Sequence, residues 1–146
     1  MSFPLKKILL VLCPVAAAMA ATTQFSPDRP VINFRLPTFT PEGHRSWLVR
    51  GSEARFASEK KINVKELTLT IFSGLADDRV ETMILSPSAE VLPADSVITG
   101  KETIRVINDE FEATGVDWRY NHREKRVSIS QNVHVTFRAE LKAILK

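Results

Sequence analysis

The sequence predicts an all-β protein, and three observations carry that expectation. The first is RVSISQNVHVTFR at residues 126–138. Val127, Ile129, Val133, Val135 and Phe137 alternate there with Ser128, Ser130, Asn132, His134 and Thr136, and only Gln131 breaks the apolar side. Successive side chains of a strand point to opposite faces, so a period of two makes one face apolar and the other polar. The second is that further runs of this kind recur upstream, at the roughly ten-residue spacing of a β-sandwich, jelly roll or barrel. The third is that no helical period lasts long enough for the crossover that parallel strands require.

The chain opens with MSFPLKKILLVLCPVAAAMAA. A short positive head (Lys6, Lys7), an apolar run and the small residues Ala18 and Ala20 around Met19 read as a secretory signal cut after Ala20. The run is about half of the roughly 20 residues that span a bilayer, and a short membrane anchor is the other reading. The expected organisation is a signal peptide over 1–20, a linker over 21–31, a β-domain over 32–138 and a tail over 139–146. Cys13, the only cysteine, lies in the signal, so the mature part has no disulfide and no cysteine-based metal site or nucleophile. Without Lys6 and Lys7, the 20 basic residues become 18 against 17 acidic ones. No basic block emerges, and a nucleic-acid partner is not expected.

Within the domain, 32–39 alternates Ile32, Phe34 and Leu36 with Asn33 and Arg35. Pro37 puts this strand at a sheet edge, because proline cannot donate to a ladder. Pro41-Glu42-Gly43-His44 is turn chemistry. In 46–56, Trp47 and Val49 set one parity and Ala54 and Phe56 the other, with a bulge expected at Gly51-Ser52. Leu67, Leu69 and Ile71 mark a third strand within 62–72. After the loop at 73–79, two short strands are expected at 82–85 and 88–91, separated by Pro87. Ile98, Ile104 and Val106 mark 97–107; Phe111, Ala113 and Gly115 lead to Trp118 and Tyr120 with the parity changed; 121–125 is a polar turn. The tail AELKAILK favours helix.

Chemistry is sparse. His44, His122 and His134 stand in turns or on a polar face without metal-ligand spacing, and are expected as solvated surface groups. No serine has a G-x-S-x-G setting, Asp77-Asp78 lacks the ligands of a calcium loop, and five glycines form no phosphate cradle. Neither an enzyme nor a cofactor is expected. Trp47, Trp118 and Tyr120 leave one rival reading open, a secreted β-sandwich lectin with aromatic sugar platforms.

Three stretches carry a resemblance: LPTFTPEGHRSWLVRGSEARF, MILSPSAEVLPADSVITGKETIRVIN and FEATGVDWRYNHREKRVSISQNVHVTF. Their spacing and order, from about Asn33 to Phe137, resemble the LptC/LptA-like (OstA-type) periplasmic domain of lipopolysaccharide export, the LptC type most closely. The resemblance implies a β-jelly roll of open, twisted antiparallel sheets with a hydrophobic slot for the acyl chains of lipopolysaccharide. It also implies a place in the periplasm, with the N-terminal segment cleaved or kept as an inner-membrane tether. The implied partners are the inner-membrane lipopolysaccharide ABC transporter, at the 32–39 edge, and a neighbouring LptA-like bridge protein, paired to the 127–137 edge. The residues expected on the inward, lipid-binding face are Phe34, Trp47, Val49, Leu67, Leu69, Ile71, Ile84, Ile104, Val106, Val127, Ile129, Val133, Val135 and Phe137.

Overall fold

The alternating segments form seven antiparallel strands lying side by side, in chain order, in one open sheet. The computed structural model describes residues 29–138. The strands are β1 (Val31–Phe39), β2 (Arg45–Ser58), β3 (Lys61–Phe72), β4 (Val80–Leu92), β5 (Val97–Asn108), β6 (Phe111–Asn121) and β7 (Arg126–Phe137). A meander needs only tight turns, and the residues suited to turns make them. Gly43, at φ 88°, donates its N–H to the Thr40 carbonyl at 2.9 Å. Asn108 Oδ1 accepts from the N–H groups of Glu110 and Phe111 at 2.9 and 2.8 Å. The fold is all-β and jelly-roll-like, and β1, which carries Pro37, is an edge.

The strands are long, and the buried parity changes once within several of them. In β2, Trp47 and Val49 are buried, then Ala54; in β3, Ile62 and Val64, then Leu67, Leu69 and Ile71. In β4 the change lies between Ser86 and Ala89, and in β6 between Gly115 and Trp118. The bulge expected at Gly51-Ser52 is corrected: the parity changes there without a register shift, and the neighbouring strands change with it. The β2–β3 register runs unbroken from Arg50↔Thr68 to Glu53↔Lys65, because β3 changes parity at the same level. Asn33, Glu66, Asp117 and Asn132 mark that level with left-handed backbone, φ 51–59°. Asn and Asp tolerate this conformation through local hydrogen bonding, whereas Glu66 is strained there. The row is a crease across the sheet.

The crease makes two leaves that close on one another. Phe34 meets Phe56 edge-on at 6.3 Å, and Trp47 lies parallel to His122 at 5.0 Å. Because β2 and β6 are not ladder neighbours, folding along the crease is what brings Trp47 and His122 together. The buried face of each leaf enters one core, with Val49, Leu67, Leu69, Ile84 and Ile104 from one and Ala54, Val64, Val91, Ile98 and Trp118 from the other. Close approach explains Gly115: a Cβ there would run into the Ile129 side chain and the Gln131 carbonyl.

One strand expectation is corrected. The segments expected at 82–85 and 88–91 are a single strand, β4, with Pro87 inside it. Pro87 falls on the crease, where the β4–β5 register is already interrupted between Leu85 and Glu90. A proline is tolerated where the ladder asks for no N–H. The signal or anchor expected at 1–20, the linker up to residue 28 and the tail at 139–146, expected to favour helix, lie outside the described residues.

Candidate functional site

Inward side chains from both leaves do not fill the whole interior. Toward β5–β7 they leave a cavity of about 440 Å³, within the roughly 300–1,000 Å³ of small-ligand sites. Its apolar wall includes Ile71, Val106, Phe111, Ala113, Val127, Ile129, Val133 and Val135, with Tyr120, Glu81, Asn108 and Lys125 at its polar margin. Glu81 and Lys125 come within 3.9 Å across the gap between the leaves. Two larger hollows, about 790 and 690 Å³, are lined chiefly by outward side chains such as Thr68, Arg105, Arg55 and Lys65. The apolar interior is the better candidate, since burial against a ligand there removes hydrocarbon from water on both sides.

The residues expected on the inward face separate along the sheet. Phe34, Trp47, Val49, Leu67, Leu69, Ile71, Ile84, Ile104 and Val106 are all under a tenth exposed and belong to the core. Val127 and Ile129 are half-buried. Val133, Val135 and Phe137 share the inward parity but are 49%, 45% and 71% exposed, because among the described residues no further strand lies beyond β7 on its side of the mouth. Phe111 adds an edge-on contact to Phe137 at 6.3 Å. Ala113 and Phe111 line the cavity and were missed, although they sit on the same parity as Gly115.

The aromatic residues that could have served as sugar platforms are inside. Trp47, Trp118 and Tyr120 are 3%, 2% and 2% exposed, so none offers a ring face to solvent. Trp118 covers Gly100, whose missing Cβ leaves room for the indole.

His122 corrects the expectation of three solvated histidines. His134 is exposed, but His122 is half-buried and fully engaged. Its Nε2 shares a 2.6 Å hydrogen bond with Ser46 Oγ, and its Nδ1 shares a 2.8 Å hydrogen bond with the Tyr120 hydroxyl. A neutral imidazole donates from one nitrogen and accepts at the other, and either hydroxyl can fill either role. The signal was parity: Trp118, Tyr120 and His122 continue one inward series into the segment read as a polar turn. The imidazole nitrogen opposite Ser46 meets the Tyr120 phenol, pushed above its ordinary pKa by burial, and not the carboxylate of a Ser-His-Asp triad.

Burial, and then the charge of Lys125, push the His122 pKa below its ordinary value of 6.5. Tyr120 and Lys125 are its titratable neighbours, Glu81 reaches Lys125, and β2 presents Ser46 and Trp47 while Arg45 turns to Phe72 and Asp78. The unfolded chain binds this proton more tightly than the folded one. The His122 contribution is thus present above pH 6.5 and is lost as pH falls through 6.5 toward the folded value. Urea unfolding across that window should show the loss in the wild type and a flatter profile in His122→Gln.

Among the described residues, no group of three or more His, Cys, Asp or Glu side chains could hold a metal. No helix among them is long and apolar enough to cross a membrane. The chain matches the family model described as "Lipopolysaccharide-assembly, LptC-related" over residues 18–138. A search of curated proteins found no match.

Proposed function

The chain belongs to the LptC-related family of lipopolysaccharide-assembly proteins, and on that premise we propose that it carries lipopolysaccharide by holding the acyl chains between its two leaves. Its role in lipopolysaccharide transport and its place in the cell envelope follow from the family. The finer reading is of a non-enzymatic periplasmic bridge component, receiving lipid from the inner-membrane transporter and passing it toward the outer membrane.

The observation that carries this reading is the apolar cavity between the leaves, opening beside β7. The two sheet edges, β1 and β7, support the relay. Among the described residues each pairs with a strand on one side only, and another chain can extend the free row of backbone donors and acceptors by strand addition. In this reading β1 meets the transporter and β7 meets the next bridge protein.

A photo-crosslinking residue tests the slot in cells. At Ile129, on the cavity wall, it should label lipopolysaccharide; at its outward neighbour Ser128 it should not. Equal labelling from both positions would remove the interior slot.

A further inference from the structure

The interior is unequal along its length. Toward β2–β4 the leaves meet in a dry core, where Val49, Leu69, Ile84 and Val91 are 0–1% exposed. The cavity lies toward β5–β7. Next to the cavity, behind Tyr120, stands a cluster of four side chains, Ser46, Trp47, Tyr120 and His122. Tyr120 and Ile71 line the cavity, and Ile71 is the register partner of Trp47. Trp47 stacks on His122 with the rings 8° from parallel, and Ser46 and Tyr120 hold the imidazole from opposite leaves.

Ser46 and Trp47 stand near the start of β2, and Tyr120 and His122 at the end of β6, both far from the crease. No ladder joins β2 to β6, so the contact can open without breaking a strand pair. His122 follows the last residue of β6, and its two side-chain hydrogen bonds are replaceable by water at a small net cost. An acyl chain entering beside β7 and moving toward β1 would run into this cluster.

We propose that His122, clamped by Ser46, Tyr120 and Trp47, is an internal gate. Closed, it limits how deep an acyl chain can reach; open, it yields to the chain tip the space that the imidazole fills. This inference rests on the slot reading above. The gate makes chain length, rather than affinity alone, the quantity that His122 controls.

The test is displacement of a bound fluorescent fatty-acid analogue from the full chain by saturated fatty acids of increasing length. In the wild type, affinity should climb about fourfold for each added methylene and then level off once the chain tip meets the gate. In His122→Ala the climb should continue to longer chains, and in Ser46→Ala, which removes one anchoring hydroxyl and little volume, it should do so to a smaller extent. His122→Phe keeps a ring against Trp47 and should level off near the wild-type length. Levelling at the same length in the wild type, His122→Ala and Ser46→Ala would overturn the gate while leaving the slot intact. Failure of every chain length to displace the analogue, or of the analogue to bind, would overturn the slot and the gate with it.

Discussion

Trp47→Ala is expected to lower the unfolding free energy by about 3–5 kcal/mol, the cost of emptying a buried tryptophan site. The indole is 3% exposed and reaches from its own leaf to the other: it stacks on His122 at 5.0 Å and tilts against Tyr120 at 6.4 Å. Alanine would leave a void where the leaves meet far from the crease, where no ladder bond can close it. Trp47→Phe is the informative control. It retains an aromatic ring and removes a buried indole N–H that has no hydrogen-bond partner among the described residues. An unsatisfied buried donor costs roughly 1–3 kcal/mol, so its removal offsets part of the lost volume and the net change should be about 1 kcal/mol. Urea midpoints at constant m-value would measure both variants. Similar large losses for Phe and Ala would show that the indole shape itself, and not filled volume, holds the leaves together.

The second large effect separates the core from the slot. Ile84 is 0% exposed in the middle strand of the sheet, and Ile84→Ala should cost about 2–5 kcal/mol. Val135 has the same inward sense but is 45% exposed at the β7 mouth, so Val135→Ala should change stability by no more than about 0.5 kcal/mol. The effects on lipid should run the other way. If an acyl chain lies against Val135, losing its two methyl groups should weaken fatty-acid binding by roughly tenfold. A Val135→Ala protein that melts and binds like the wild type would take β7 out of the slot wall.

The alternation of Val127, Ile129, Val133, Val135 and Phe137 with polar residues was enough to predict β7, and the same pattern located the other strands except β4, which it split in two. Backbone pairing makes the side-chain period two wherever a strand forms, so an inward face can be read one strand at a time. The turn at Gly43 was legible for an equally local reason, the positive φ that glycine accepts. Pro87 misled because its cost depends on what lies beside it. Only the sheet shows that the register to β5 is already broken there.

The crease, the cavity and the His122 cluster were decided by tertiary structure. At Gly51-Ser52 the sequence announces one change of parity, but a fold line requires neighbouring strands to change at the same level, and that is a property of register. Exposure at β7 likewise depends on strand order: Val133 and Leu69 have the same local pattern, yet one lies at an edge and the other inside the sheet. His122 meets Ser46 from 76 residues away. Sequence alternation orients a side chain relative to its own strand; which distant group it meets follows from how the two leaves close.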